Sequence, residues 1–364
     1  MNGPLRFGLV GCGRIGALAD DRAAGWPPEL RELWLPYAHA SAIAATPRAR
    51  LVAVCDASEA AAAAAAARFR VERTYTDHRR MLEHERLDAV AIATRTAERP
   101  GIVLDAIEAD VRAIYCEKPL ASTLEEADAI GEAARRRRVA FGYGTRRRHM
   151  DVYTRARELC REGAIGALKL VVVRFGAGGL MWNHPHSVDI ASFFAGDPGI
   201  RSVQGTLELP EGAPTELVAD RTLDCDPVLV SGALEFSNGV RAAILPVDGQ
   251  DVELVGTTGI LTVRQDGREL ILRTLATDRT DIGWMLTEQP IEGRPAASGT
   301  RRGIERLIAE VEVPSSDDEL RAALEGHEAI FGLAESHFAG GARVSLPLRR
   351  RRIRITGRVG DKLC

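Results

Sequence analysis

The sequence predicts an α/β protein in which a doubly wound parallel sheet is followed by an α+β domain with a large, open, mainly antiparallel sheet. Two observations predict this fold class. Through residue 145, short apolar runs alternate with helical patterns, which is typical of parallel strands joined by right-handed crossovers. From about residue 165, β-like runs follow one another with few helices between them. We therefore place two domains at 1–145 and 146–364.

The first domain is expected to contain five strands and six helices. An alanine run at 60–67 follows Ser58, a residue type that caps helix N-termini, and predicts a helix packed on the sheet. The predicted strands are 5–10, 51–55, 88–93, 113–116 and 139–142. The predicted helices lie near 14–20, 38–46, 58–69, 77–84, 99–109 and 123–136.

The second domain is expected to consist of β-like runs and two late helices, 299–312 and 317–339. Ser237-Asn-Gly239 and Asp266-Gly267 are typical of hairpin turns. The β-like runs lie near 167–175, 200–209, 215–223, 228–236, 239–246, 250–256, 259–264 and 269–275.

Composition argues against several classes of protein. The net charge of −3 gives no sign of nucleic-acid or membrane-surface binding, and no stretch approaches the length of a membrane span. The N-terminus lacks a signal-peptide pattern. Six scattered cysteines without Cys-x-x-Cys spacing predict a reduced, cytoplasmic chain with neither a disulfide framework nor a metal site.

A glycine-rich turn between the first strand and helix predicts a dinucleotide phosphate site. Gly11 allows a tight turn, Gly13 lets the backbone approach a pyrophosphate, and Gly16 permits close packing of helix on sheet. The alternative is a plain strand–helix turn. The expected cofactor contacts in this turn are Gly11, Cys12, Gly13, Arg14, Ile15 and Gly16.

An acidic residue, Asp56, ends the second predicted strand. A carboxylate there accepts hydrogen bonds from the adenosine ribose and repels a 2′-phosphate, so NAD is favoured over NADP. Capping of the next helix is an alternative role that is compatible with ribose binding. Thr94 is also expected to contact the cofactor.

The lysine in Glu117-Lys118-Pro119 is the sharpest chemical signal. The chain has 48 Lys plus Arg, yet its only lysines are Lys118, Lys169 and Lys362. A buried lysine can lose its proton near neutral pH, whereas arginine stays protonated. Lys118 follows a buried strand at the sheet edge where ligands bind, so we expect it to transfer a proton there. We also expect both Glu117 and Lys118 to contact the cofactor. The alternative is a surface ion pair.

A second cluster contains His184, His186 and Asp189. A metal site would need a third ligand that the sequence does not offer, so a general acid/base role for His186 fits better. In a helix, Asp189 would share a face with His186 and orient its ring. The alternative is a pair of water-facing histidines. The expected substrate contacts are Trp182, Asn183, Asp189 and Arg146.

Residues 19–36 form an insertion, because Asp56 lies 40 residues after Gly16 rather than the usual spacing of about 20. The insertion and its boundary carry Trp26, Trp34 and Tyr37. These aromatic residues could line a substrate pocket, form an oligomer contact or cover the surface.

Together these motifs resemble the glucose–fructose oxidoreductase/inositol dehydrogenase (Gfo/Idh/MocA) family over nearly the whole chain. The resemblance implies a Rossmann domain followed by an open-faced α/β domain, NAD(P)-dependent redox chemistry on sugars and cyclitols, a catalytic Lys118 and a catalytic His186. It is carried by Gly11-Cys-Gly-Arg-Ile-Gly16, Val54-Cys-Asp56, Cys116-Glu-Lys-Pro-Leu-Ala121, Glu162-Gly-Ala-Ile-Gly166, His186-x-x-Asp189 and the ending Glu335-Ser…Gly340-Gly…Leu346-Pro347.

The chain departs from the family at three places. Trp182 stands where many members carry an aspartate, and Asp110 stands where many have a glycine. Asp tolerates the left-handed conformation better than most residues, so the turn at Asp110 can form. The insertion at 19–36 is the third departure.

We therefore expect an NAD-dependent dehydrogenase that oxidises a secondary hydroxyl of a sugar, aminosugar, cyclitol or glycoside to a keto product. The enzyme could also catalyse the reverse reaction, the reduction of the keto compound to the alcohol. Its expected partners are a small polyhydroxylated substrate and further copies of the chain, in a dimer or tetramer. Two alternatives stay open. One is a hydrolase or lyase that retains NAD and oxidises its substrate transiently, and the other is a non-catalytic dinucleotide-binding regulator.

Overall fold

The computed structural model describes residues 3–213, 222–275, 286–292, 297–313 and 318–356. The chain forms two compact units. The first contains Met1–His149 with Ala297–Leu324, and the second contains Met150–Ala296 with Glu325–Cys364. A late segment of the chain thus belongs to the first unit, although the sequence grouped it with the second domain.

The first unit is built on a parallel sheet, which has six strands within the described residues. The strands are β1 (Leu5–Val10), β2 (Ala49–Cys55), β3 (Arg73–Tyr75), β4 (Ala89–Ile92), β5 (Ala113–Cys116) and β6 (Ala140–Tyr143). Their order is β3-β2-β1-β4-β5-β6, and each neighbouring pair is parallel. The predicted doubly wound sheet is confirmed. The strand order reverses between β1 and β4, and ligands bind at such a switch point.

Helices flank this sheet, and several begin at residues suited to capping. Ser58 accepts a hydrogen bond from the backbone of Ala61, and Thr123 forms a capping box with Glu126. The α-helices are α1 (Pro28–Trp34), α2 (His39–Ala44), α3 (Glu59–Phe69), α4 (His78–His84), α5 (Arg99–Glu108) and α6 (Leu124–Arg137). Asp110 has a φ of +57°, so the left-handed turn expected there is present.

The sequence missed or misjudged three elements of the first unit. Strand β3 is a short edge strand without an apolar run, and α1 lies inside the insertion. The regular helix expected near 14–20 is instead a π-helical turn over Arg14–Leu18 followed by a 3-10 helix over Ala19–Gly25. A Cβ on Gly16 would lie 1.9 Å from the Gly11 oxygen, so this turn packs directly against the glycine loop.

The second unit contains a large sheet, as predicted. Its strands are β7 (Leu168–Phe175), β8 (Ile200–Glu208), β9 (Thr222–Leu223), β10 (Val228–Phe236), β11 (Arg241–Leu245), β12 (Gln250–Gly256), β13 (Gly259–Arg264), β14 (Glu269–Leu275), β15 (Leu286–Ile291), β16 (Val344–Ser345) and β17 (Arg354–Ile355). In the described part of the chain, nine of these form one sheet in the order β15-β14-β13-β12-β7-β11-β10-β8-β16. Strands β7 and β11 pair in parallel, and the other neighbours are antiparallel.

The two predicted hairpins are confirmed. Gly239, with a φ of +83°, lies between antiparallel β10 and β11, and Asp266 and Gly267 lie between antiparallel β13 and β14. Most of the run predicted near 215–223 lies outside the described residues, and its end forms β9, which pairs with β17.

The described residues contain four more α-helices: α7 (Asp151–Arg161), α8 (His184–Ala195), α9 (Gly299–Glu312) and α10 (Asp318–Phe338). Helix α7 was not predicted, although its buried Val152, Ala156 and Leu159 have helical spacing. Helix α8 packs against β7. Helix α9 buries Ile304 and Leu307 in the core of the first unit, which explains why this late segment returns there.

A buried carboxylate, Glu319, joins the first turn of α10 to other elements of the first unit. Its Oε1 accepts a hydrogen bond from the backbone N–H of Tyr143 at 2.8 Å and lies 3.4 Å from Nε2 of His149, while Arg306 donates to its Oε2. Burial alone would raise the pKa of Glu319, but the neighbouring His149, Arg306 and Arg148 lower it to about 2. Glu319 is therefore ionised at neutral pH.

Glu319→Gln is expected to lower the free energy of unfolding at neutral pH by about 3 kcal/mol, because it breaks a buried ion pair. The folded-state pKa lies below the ordinary value of 4.5, so the stabilisation is present above pH 4.5 and is lost as the pH falls toward 2. Chemical denaturation measures both effects. Glu312→Gln is the control, because Glu312 pairs with Arg48 at the surface and should contribute less than about 1 kcal/mol. Equal losses in the two variants would contradict this account.

Candidate active site

Five strand ends place predicted site residues along one edge of the parallel sheet. Gly11 follows β1, Asp56 follows β2, Thr94 follows β4, Glu117 follows β5, and Arg146 follows β6. Because the strands are parallel, their carboxyl ends lie along the same edge, which is the ligand-binding edge of such sheets. The sheet order thus gathers residues that are far apart in the sequence.

The glycine turn leaves room for a phosphate-bearing ligand. Gly11 has a φ of +95°, and a Cβ there would lie 2.7 Å from the Ala93 carbonyl carbon. A Cβ on Gly16 would lie 1.9 Å from the Gly11 oxygen, so no side chain fits at either position. A Cβ on Gly13 would meet nothing within 4 Å, so the backbone there faces open space. This is the geometry that lets a pyrophosphate approach the main chain.

Asp56 joins the glycine turn to the end of β2. Its Oδ2 accepts a hydrogen bond from the backbone N–H of Cys12 at 2.7 Å, and its Oδ1 accepts one from Ser58 at 2.9 Å. The half-buried carboxylate keeps further lone pairs for ribose hydroxyls. Thr94 has a buried Oγ1 that finds no hydrogen-bond partner among the described residues. The open backbone at Gly13, the carboxylate and the orphaned hydroxyl all fit a dinucleotide.

A buried carboxylate lies at the end of β5. Oε1 of Glu117 is 3.5 Å from Nε2 of His39, and its Oε2 accepts a hydrogen bond from the backbone N–H of Lys118 at 3.0 Å. Burial would raise the pKa of Glu117, but the hydrogen bond with His39 and the charges of Lys118 and Arg99 lower it to about 2. A Cβ at Gly144 would lie 2.7 Å from Glu117 Oε1, so the carboxylate depends on that glycine.

The environment of Lys118 brings the pKa of its amine close to neutral pH. Burial lowers the pKa of Lys118, Glu117 raises it, and Arg146, Arg99 and Arg14 lower it further, to about 8. An amine with this pKa populates both protonation states in the physiological range. It can therefore take up and release a proton during turnover.

His39 is a site residue that the sequence analysis missed. It is buried at the first position of α2 and packs edge-on against the Tyr115 ring, with 4.9 Å between the ring centroids. Nothing near residue 39 points to Glu117, because the two residues meet only when α2 packs against the sheet.

The second unit carries the histidine cluster. His184 is fully buried, its Nδ1 lies 3.0 Å from Oγ of Ser187, and burial lowers its pKa to about 4 despite a hydrogen bond with the Gly178 backbone. His184 is therefore a neutral core residue at physiological pH. His186 is half-buried, and Asp189 lies three residues later in the same helix, α8. The predicted sharing of one helix face by His186 and Asp189 follows from this placement.

Asp226 fixes the turn that carries Trp182 and Asn183 into α8. It accepts hydrogen bonds from the backbone N–H groups of Met181 at 2.7 Å and Trp182 at 3.0 Å. A Cβ on Gly179 would lie 2.1 Å from the Asp226 carboxylate. Trp182 and Asn183 are both half-buried. Asp226 is distant in the sequence and binds the backbone at position 182, so no local sequence pattern could indicate this contact.

The described ranges contain neither a candidate metal cluster nor a helix that could span a membrane. No three His, Cys, Asp or Glu side chains of those residues are grouped as metal ligands would be. Among the same residues, no helix is long and apolar enough to cross a membrane.

Comparison with known proteins agrees with this geometry. The Gfo/Idh/MocA family model, described as an oxidoreductase family with an NAD-binding Rossmann fold, matches residues 34–145. Myo-inositol 2-dehydrogenase of Thermotoga maritima is 24% identical over 273 residues, which cover 70% of this chain and 74% of that protein. The scyllo-inositol 2-dehydrogenase (NAD(+)) of Bacillus subtilis is 28% identical over 249 residues, 63% of this chain and 70% of that protein.

Solved structures share the fold. Levoglucosan dehydrogenase in complex with NADH matches with a TM-score of 0.71 at 20% identity, over 94% of this chain and 99% of that one. The matched region includes residues of both units, so the similarity in fold covers each of them.

The geometry at Asp56 predicts tighter binding of NAD than of NADP, because the carboxylate would repel a 2′-phosphate. Asp56→Ala should weaken NAD binding by about 1–3 kcal/mol, the scale of a lost acceptor for a ligand hydroxyl. Asp56→Asn should reduce the preference for NAD over NADP, because it removes the negative charge and keeps a hydrogen-bond acceptor. Isothermal titration of both dinucleotides measures these effects, with exposed Glu59→Ala as the control. Equal or tighter binding of NADP by the unaltered protein would contradict the assignment.

Proposed function

Because the chain belongs to the Gfo/Idh/MocA family of NAD-dependent oxidoreductases, we propose that it oxidises a secondary hydroxyl of a sugar, aminosugar, cyclitol or glycoside to a ketone, or catalyses the reverse reduction. The observation that carries the proposal is Lys118. Its amine, with a pKa of about 8, lies in the same sheet edge as residues that fit a dinucleotide. Proton transfer and cofactor binding are therefore available together.

The names of the similar proteins support a cyclic polyol as substrate. The two relatives are named for inositol, and the solved structure is named for levoglucosan. All three are named dehydrogenases, so neither the NAD-retaining hydrolase or lyase nor the non-catalytic regulator gains support from them. The proposal keeps the cytoplasmic location and the homo-oligomeric state expected from the sequence.

In the proposed reaction, the alcohol loses one hydride and one proton. A bound nicotinamide would supply the hydride acceptor. Lys118 in its neutral form takes the hydroxyl proton at Nζ and later releases it to solvent. Glu117, ionised and hydrogen-bonded to His39, favours the protonated amine that forms, whereas Arg14, Arg99 and Arg146 limit how strongly the proton is held. In the reduction, the protonated amine returns the proton to the new hydroxyl.

We assign His186 to the same turnover as a second acid/base group, with Asp189 as its positioning residue. Its support is the half-buried place of His186 near the start of α8, in contrast to the full burial of His184. Trp182 and Asn183 precede the helix on a turn held by Asp226, and we assign them to substrate contact.

Lys118→Arg should retain NAD binding and lose about 10²–10⁴-fold in kcat, because guanidinium keeps its proton and cannot act as a base. NADH formation from a panel of inositols, hexoses and glucosides measures the loss. The oxidation rate of the unaltered protein should rise with pH through about 8, as Lys118 deprotonates. Lys169→Arg is the matched control, since Lys169 is exposed on β7 and should leave kcat unchanged. Retention of more than about a tenth of kcat in Lys118→Arg would rule out its role as the base.

His186→Ala should lower kcat more than His184→Asn. Asn at 184 keeps an acceptor near Ser187 and tests the buried position without emptying it. Thermal melting of both variants separates loss of stability from loss of catalysis. The assignment is wrong if the His184 variant, folded as judged by melting, is the slower enzyme.

A further inference from the structure

The guanidinium of Arg146 is stacked on two aromatic rings. Its central carbon lies 4.4 Å from the ring centroid of Trp34 and 4.2 Å from that of Tyr37. The two rings meet edge to face, with centroids 6.1 Å apart. Contacts of this kind hold a guanidinium by its faces and leave the N–H donors at its edge available.

Arg146 has no anionic partner in the described part of the chain. It makes no hydrogen bond or ion pair with those residues, and its Nε is a buried atom without a hydrogen-bond partner. Its neighbours Arg147 and Arg148 both have partners. A half-buried charge without a partner is costly, so its retention calls for a ligand that pairs with it.

The charges around Arg146 favour an anionic ligand. The positive charges of Arg14, Arg99 and Arg146 lower the pKa of the Lys118 amine, and the negative charge of Glu117 raises it. A planar carboxylate, or a phosphoryl group, matches the fork of N–H donors on a guanidinium.

The insertion holds the two rings in place. Oδ1 of Asp20 accepts hydrogen bonds from the backbone N–H groups of Tyr37 at 2.9 Å and Ala38 at 2.8 Å. Ser298 donates to the carbonyl of Pro36, and Thr300 donates to the carbonyl of Tyr37 at 3.1 Å. The segment that lengthens the usual spacing to Asp56 is thus fastened at the end where it meets Arg146.

We propose that Arg146, stacked on Trp34 and Tyr37, binds an oxyanion carried by the substrate, so that the enzyme prefers an acidic sugar or cyclitol to its neutral counterpart. This inference rests on the proposed dehydrogenase function and deepens it by naming the substrate class. Of the three roles considered for the insertion, it selects substrate recognition.

The test compares glucose, glucuronate and glucose 6-phosphate as substrates for the unaltered protein and for Arg146→Gln. The kcat/KM for the preferred acidic sugar should exceed that for glucose and should fall about 10–100-fold in Arg146→Gln, the loss expected for a charge-assisted hydrogen bond. The kcat/KM for glucose should change only through the altered pKa of Lys118, an effect common to neutral and acidic sugars, so the ratio of the acidic to the neutral kcat/KM is the quantity that tests the anion site. NAD affinity should not change. Glucuronate and glucose 6-phosphate distinguish a carboxylate from a phosphoryl group as the recognised anion.

Variants of the insertion provide a matched pair. Trp34→Leu removes a ring from the Arg146 stack and should reduce the acidic-to-neutral preference about 3–30-fold. Trp26→Leu removes an aromatic of the same insertion that makes no contact with Arg146, and it should leave the preference unchanged. An equal effect of both variants would show that only the fold of the insertion matters and would overturn the inference.

The remaining outcomes are also decisive. If Arg146→Gln leaves the ratio of kcat/KM for acidic and neutral sugars unchanged, or lowers NAD affinity instead, the proposed role is wrong. If none of the three sugars, nor any member of the inositol and glucoside panel, is oxidised, the dehydrogenase proposal fails by itself. Calorimetric titration of glucuronate and glucose 6-phosphate into the NAD-bound protein then tests the anion site. Binding that is lost in Arg146→Gln supports the site, and absence of binding to the unaltered protein refutes it.

Discussion

The buried carboxylate of Glu117 is the group on which the chemistry of the site depends. Burial and three arginines favour the neutral form of Lys118, and the charge of Glu117 opposes them. Glu117 can remain charged while buried because His39 pairs with it and Gly144 leaves it space. Without this carboxylate, the protonated amine that returns the proton in a reduction would be less populated at neutral pH. The balance of these charges gives a pKa of about 8 and therefore a reversible proton carrier.

The fold places these groups together because the carboxyl ends of the parallel strands lie along one edge of the sheet. Gly11, Asp56 and Thr94 provide open backbone, a carboxylate and an unpaired hydroxyl for the dinucleotide, and Lys118 follows on the next strand. Segments from elsewhere complete the edge. Helix α9, which comes late in the chain, packs against β5 and contributes Ile304 and Leu307 to the same core cluster. The insertion and its boundary bring aromatic rings to Arg146 after β6.

The predictions that succeeded were those whose cause is local. The glycine turn, the cap at Ser58, the hairpin at Gly239 and the left-handed Asp110 each follow from the conformational preference of one or a few residues. Features that depend on distant partners were missed. His39 reaches Glu117, Asp226 holds the backbone at Trp182, and α9 returns to the first unit only because separate segments pack together. The edge strand β3 escaped detection since it lacks an apolar face.

The surroundings of Lys118 bring the pKa of its amine close to neutral pH, and the titration of this amine can be observed directly. The chain has only three lysines, so ¹³C labelling of lysine side chains yields a spectrum simple enough to follow as the pH changes. The signal that disappears in Lys118→Arg should titrate near pH 8, and Glu117→Gln should move that titration to lower pH. Titration of this signal near the ordinary lysine value of about 10.4, unaffected by Glu117→Gln, would contradict the account.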